Sequence, residues 1–252
     1  QGFVAANETT SPGENPPQRT YASRIYFTEY RSPLTKAVEE RDLEPDPDLA
    51  NSQVRVYKAI SPHGWMALVN DGYGRGFDIC ESCGWSQVVD FSQNAQKRFG
   101  KHKNPFSQKD CSGKTHSYHL GHRYMTNVLE LKFEGIRFEQ AEMLSTLYAI
   151  LDGASEELGI RRDDIDGTLF YRDFHQSPHL ILFDTVPGGA GHVDRINKNL
   201  KKVFDTALIK VKNCECGKDT SCYNCLRNYH NQIFHDVLQR GMAIDILEKV
   251  LR

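Results

Sequence analysis

Residues 179–192 read HLILFDTVPGGAGH, and this stretch decides the architecture. His179 to Val186 is a short apolar run, the pattern of a strand buried on both faces. Pro187 cannot donate to a sheet ladder, so the strand stops there. Gly188, Gly189 and Gly191 then permit the tight turn that feeds a helix. Val193, Ile196, Leu200, Val203 and Phe204 follow at helical spacing, with one apolar stripe.

The same reading extends outward in both directions. Phe138 to Leu158 carries Ala141, Leu144, Leu147, Tyr148 and Leu151 on one helical face, with Gly159 as the C-cap. Tyr124 to Phe133 alternates as a strand. Val54 to Val69 reads as a strand pair about a turn at Ser61-Pro62-His63-Gly64. A last amphipathic helix runs from about Asp236 to Arg252, with Ile244, Leu247 and Leu251 inward. The expected fold is mixed α/β (α+β): a largely antiparallel sheet, packed amphipathic helices and inserted zinc knuckles. We expect three parts: an extended N-terminal arm and linker over 1–53, a strand-rich part with a first cysteine group over 54–135, and an α/β part with a second cysteine cluster over 136–252. Residues 1–20 read as an extended arm, and 39–48 (EERDLEPDPD) as a solvated acidic connection.

Composition excludes several classes. Charged residues are 25% and hydrophobic ones 39%, as in an ordinary soluble domain. The formal net charge is -2, so any nucleic-acid contact must come from local patches. No apolar run suits a membrane span and no signal-peptide pattern opens the chain. The chain begins at Gln1, which reads as a fragment or processed form. Seven cysteines at short spacings suit chelation in a reducing bacterial cytoplasm better than disulfides.

Cys214, Cys216, Cys222 and Cys225 form C-x-C-x5-C-x2-C. Zn2+ takes four thiolate or imidazole ligands in a tetrahedron, and C-x2-C presents two thiolates across one turn. The intervening loop (Glu215, Gly217, Lys218, Asp219) offers no apolar burial that would keep free thiols. An iron–sulfur cluster is the rival occupant. A second group is Cys80, Cys83 and Cys111, whose fourth ligand is sought among His102, His116, His119 and His122; His102, nine residues before Cys111, is favoured. Zn2+ is therefore the expected cofactor, with one site or two.

The glycine turn admits other readings. One is that its amides cradle a phosphate, although the Lys-Ser/Thr ending of a P-loop is missing. Asp184 and His192 suggest a metal-dependent nuclease. The favoured reading is a purely structural turn built on Gly188, Gly189 and Gly191. Local cations offer DNA contacts: Arg195, Lys198, Lys201 and Lys202 after the turn, Lys101 and Lys103 with Phe99 nearby in the first cysteine group, and Arg227 beside the second. Arg227, Tyr229, His230 and Gln232 suit either base contact or hydrogen bonds that hold the knuckle.

Several motifs together resemble one family. Phe183–His192 is similar to the DTVPGGAG signature of the MrfA-type zinc-binding (MZB) domain, long classed as a domain of unknown function. Cys222-Tyr223-Asn224-Cys225-Leu226-Arg227-Asn228-Tyr229-His230-Asn231-Gln232, then His235 and Arg240, resembles its closing pattern. Gly76–Gly84 and Leu120–Leu129 match longer versions, and the resemblance covers most of 54–252. The family occurs at the C-terminus of superfamily 2 DNA helicases, including a mitomycin-lesion repair helicase, and in the DrmB component of the DISARM antiphage system. The resemblance implies a non-catalytic structural zinc module that binds DNA, a helicase or ATPase partner, or both, in antiphage defence or DNA repair. The chain itself carries no Walker A motif, so any ATPase lies elsewhere. The competing readings are the Asp184/His192 nuclease and a pure protein–protein scaffold.

Overall fold

A computed structural model describes residues 23–49, 53–94, 98–173 and 175–252; the expected arm over 1–20 lies outside them. Twelve strands and four α-helices are described. The strands are β1 (Ser23–Arg31), β2 (Val38–Glu39), β3 (Glu44–Pro45), β4 (Arg55–Asn70), β5 (Phe77–Cys80), β6 (Ser86–Val88), β7 (His102–Lys103), β8 (Asp110–Cys111), β9 (Thr115–Tyr118), β10 (Leu120–Glu134), β11 (Ile165–Phe170) and β12 (His179–Asp184). The helices are α1 (Gln140–Leu158), α2 (His192–Lys198), α3 (Leu200–Asn213) and α4 (Arg240–Leu251). The chain divides into two compact units, one holding Leu68–His122 and the other Ile25–Ala67 with Arg123–Arg252.

The larger unit is built on a sheet in the order β11-β12-β10-β4-β1-β2, with β3 paired to β4. The β10–β12 and β11–β12 ladders are antiparallel. The fold is the mixed α/β architecture expected from the sequence. Every residue of β12 is buried, because the strand is covered on both faces. Leu180 and Leu182 pack with Leu129, Leu131 and the helices, while Ile181 and Phe183 join Val128, Met66, Phe27 and Tyr30 on the opposite face. A flat sheet would hold β1 and β11 about 19 Å apart, four strand spacings. Instead Thr168 Oγ1 donates to the Ile25 carbonyl, and the rings of Phe27 and Phe170 meet edge-on at 4.9 Å. The sheet therefore curls until these strands meet, and the second apolar cluster fills its concave side.

Glu130 lies on that concave side, fully buried. It accepts from Tyr30 Oη at 2.8 Å, from Arg172 Nε at 2.9 Å and Nη2 at 3.0 Å, and from His179 Nδ1 at 2.6 Å. Burial alone would raise its carboxyl; the bonds from His179, Arg172 and Tyr30 outweigh burial and hold it at about 2. The Tyr30 hydroxyl is pushed up by burial and by Glu130.

All four helices pack on the other face. A Glu139–Glu142 capping box starts α1, and Gly159, left-handed at φ 59°, ends it. The single helix expected after the glycine turn is two, broken at Asn199, yet all five stripe residues are buried as expected. The last helix starts at Arg240 rather than near Asp236.

Three further expectations are corrected. Ser23–Arg31, assigned to the arm and linker, is a sheet strand with Phe27 and Tyr30 buried. Asp46, in the stretch read as solvated, is buried and pairs with Lys58. The turn at Ser61–Gly64 does not form; β4 runs through it. Val56 and Ile60 pack toward the helices but Met66 toward the concave cluster, so the side-chain alternation changes face between them. There the His63 N–H bonds Ser61 Oγ. A Cβ on Gly64 would lie 2.1 Å from Val128 Cγ2, so close packing explains this glycine.

Candidate metal centres

The four C-terminal cysteines come together at the end of α3. Cys214 is the helix C-cap, so the loop starts where the apolar stripe ends. Cys222 and Cys225 lie on one turn, in which the amides of Cys225, Leu226 and Arg227 all point at the Cys222 carbonyl. The sulfur separations are 3.6 Å for Cys214–Cys216, 3.5 Å for Cys214–Cys222, 3.8 Å for Cys216–Cys225 and 3.9 Å for Cys222–Cys225. A zinc tetrahedron with bonds of about 2.3 Å has sulfur–sulfur edges of about 3.8 Å. A disulfide needs about 2.05 Å, and all seven cysteines are free. The donor set fits zinc. The burial differs from expectation: Cys225 is 3% exposed and belongs to the apolar core, and the other three cysteines pack against it. The polar loop faces out while Leu226 plugs the core beneath.

A hydrogen-bonded frame holds this knuckle. Arg240 Nη1 donates to the Val211 carbonyl and Nη2 to that of Cys216, joining α3, the cysteine loop and α4. The amides of Arg240 and Gly241 donate to Thr220 and Lys218 carbonyls; a Cβ on Gly241 would meet the latter at 2.8 Å. Arg227 Nε donates to Ser221 Oγ and Nη2 to the His235 carbonyl. Asn231 Nδ2 donates to the Leu226 carbonyl, while Asn231 Oδ1 accepts from the Asn228 amide and lies 2.9 Å from His235 Nε2. Arg227 thus makes the hydrogen bonds that the bracing reading expects. A cleft beside the cluster is lined by Glu156, Glu157, Lys210 and Glu215, with Ile209 exposed at its edge.

The second group lies in the smaller unit, around a β6-β5-β9 sheet. Cys80 ends β5, Cys83 follows in a turn, and His102 and Cys111 face each other across the β7–β8 hairpin. Cys80 and Cys111 sulfurs lie 4.0 Å apart, and Cys83 Sγ lies 3.2 Å from His102 Nε2. The four donors lie within 4.8 Å of one another, as in the C-terminal cluster. His102 Nδ1 is 3.2 Å from the Gly100 carbonyl, which leaves Nε2 for a metal. Trp85 stacks on the ring at 4.6 Å. A Cβ on Gly113 would lie 2.8 Å from Cys80 Sγ, so the site needs glycine there. Burial opposes ionisation of Cys80, but hydrogen bonds from Cys83, Ser82 and His102 bring it down to about 7, toward the thiolate a metal takes. His116 instead faces Glu81, and neither His119 nor His122 joins the group.

The glycine turn carries its own anion. Asp184 is fully buried. Its Oδ2 accepts from the amides of Ala190 and Gly191, each at 2.6 Å, and His192 at 3.2 Å; Oδ1 accepts from Val193 at 3.0 Å. The amides of the candidate phosphate cradle are thus filled from within, as a helix N-terminus favours. Gly188, Gly189 and Gly191 have φ of 80–87°, and a Cβ on Gly189 would strike the Asn127 side chain.

The candidate DNA contacts fall in both units. Lys198 pairs with Asp194, and Arg195 donates to the Leu158 carbonyl. Lys201 and Lys202 are exposed on α3. In the other unit Lys103 pairs with Asp110 and Lys101 is exposed.

Residues 146–226 match the family described as the MrfA Zn-binding domain. The chain is 28% identical over 211 residues to the Druantia protein DruE of Escherichia coli, across 72% of this chain and 11% of that one. It is 30% identical over 78 residues to an uncharacterized protein of Methanocaldococcus jannaschii, across 31% of this chain and 68% of that one. A solved structure of the DUF1998 helicase MrfA bound to DNA aligns over 90% of this chain and 24% of the helicase, at 13% identity and a TM-score of 0.45. The chain thus spans a small part of the DruE and helicase chains.

Proposed function

The chain belongs to the MrfA Zn-binding (MZB) family, and on that premise we propose that it is a non-catalytic module of a DNA-handling machine, held by two structural zinc ions. Cys214, Cys216, Cys222 and Cys225 hold one ion; Cys80, Cys83, His102 and Cys111 hold the other. The observation that carries this reading is that each group brings four protein donors within 4.8 Å of one another, enough to fill a zinc tetrahedron without water. A catalytic zinc keeps one position open for water. The nuclease alternative is weakened because both Asp184 oxygens are spent on backbone amides. The module acts in a bacterial cytoplasm, in antiphage defence of the DISARM kind or in DNA repair. There it binds DNA and docks on a helicase or ATPase subunit that supplies the motor.

The exposed Lys201, Lys202 and Lys101 support DNA contact, and the acidic cleft beside the C-terminal cluster argues that phosphates do not run there. Anisotropy of labelled DNA over a salt series tests this. Contacts to about three phosphates should give a log–log salt slope of roughly -2 to -3. An absence of binding at low salt would leave only the scaffold reading.

A further inference from the structure

Residues 90–111 hold five cations (Lys97, Arg98, Lys101, Lys103, Lys109) against two carboxylates (Asp90, Asp110), in a chain whose net charge is -2. They also expose large rings: Phe91 is 72% exposed and Phe99 41%. A singly exposed ring is ordinary on a protein surface; what sets Phe91 and Phe99 apart is that both rest on one guanidinium, that of Arg98.

These two rings are held in place. The Arg98 guanidinium lies 5.6 Å from the Phe91 ring and 5.0 Å from that of Phe99. Arg98 is itself fixed: Nε and Nη2 donate to the two oxygens of Asp78, at 3.0 and 2.9 Å, and Nη2 also to Ser117 Oγ. The Asp78 side chain is fully buried in the three-stranded sheet. Arg98 is therefore no free phosphate ligand; it is the mount for two outward rings. Lys101 and Lys109 are exposed on the neighbouring hairpin and form no ion pair among the described residues.

We propose that this mount is a stacking platform for single-stranded nucleic acid: Phe91 and Phe99 take unpaired bases while Lys101 and Lys109 take the phosphates. This rests on the DNA-handling reading and moves the main contact from α3 to the first cysteine unit. Fixed rings lose little freedom on binding, and stacking suits any base. A duplex keeps its base faces stacked and unavailable, so the platform prefers single strands.

The test uses the zinc-loaded chain with fluorescein-labelled oligo(dT) and a duplex of equal length. Phe91→Ala with Phe99→Ala should weaken oligo(dT) binding about tenfold or more, with zinc content and duplex binding unchanged. Phe91→Trp should keep the affinity, and its indole emission should be quenched by oligo(dT). This second readout serves if the double variant folds poorly. Oligo(dT) affinity unchanged in the folded double variant, or an indole that oligo(dT) leaves unquenched while still binding, overturns the platform. If such binding is instead lost in Lys201→Glu with Lys202→Glu, the DNA reading survives with its contact on α3. A parent chain that binds neither nucleic acid overturns both, and points these rings toward a protein partner.

Discussion

Asp184 shows how one side chain can change the meaning of a motif. In sequence it stands before three glycines, where it suggests a catalytic carboxylate or a phosphate loop. In the fold it is the anion of that loop, and four amides are spent on it. Asp184→Asn keeps the shape but sets an uncharged amide against those donors. It should cost about 2–4 kcal/mol of stability, read as a lower urea midpoint, with both zinc ions retained. An unchanged midpoint would refute the capping role. Glu130 makes a pH-dependent case. Its folded carboxyl, at about 2, lies below the ordinary 4.5. Its contribution is thus complete above about pH 4.5 and is lost as pH falls through about 2. The shift corresponds to about 3 kcal/mol. The stability gap between the parent and Glu130→Gln should shrink across that window; a constant gap would show that the charge contributes nothing.

The two knuckles differ as elements. The C-terminal one is welded to the core by Cys225 and Leu226, and to α4 by Arg240. Cys222→Ser with Cys225→Ser should therefore remove one zinc equivalent and destabilise α3 and α4 together. The first group braces short strands in the smaller unit. Cys80→Ser with Cys83→Ser should remove the other equivalent and leave the unfolding of the larger unit near that of the parent. Zinc content by mass spectrometry and amide exchange over α4 distinguish the two. Equal loss of protection in α4 for both variants would refute this separation. Structural zinc supplies roughly 10–16 kcal/mol of apparent affinity, enough to decide whether such small elements fold.

At the scale of the whole molecule, charge and metal are divided between two units. The larger carries a curled sheet under four helices; the smaller carries the exposed rings and the cationic hairpin. Much of this was legible in the chain. The stripe Val193, Ile196, Leu200, Val203 and Phe204, the double-sided strand at 179–184, and the cysteine spacings are local patterns, and local patterns survive folding. Even His102 could be found, because its partner Cys111 lies nine residues away. The chain alone misread Ser61–Gly64, where turn-forming residues sit inside a long strand. Gly64 is there for the side chain of Val128, and nothing within a turn's length of sequence says so. Nor could it show that Glu130 gathers Tyr30, Arg172 and His179, or that Arg98 mounts two rings on Asp78. Sequence by itself determined the core stripes, most of the element types and which cysteines and histidine gather into two candidate metal groups, since hydrophobic periodicity and chelate reach act over a few residues. Only the tertiary structure decided which carboxylates are buried and what their charge is spent on, because that depends on strands brought together across a hundred residues.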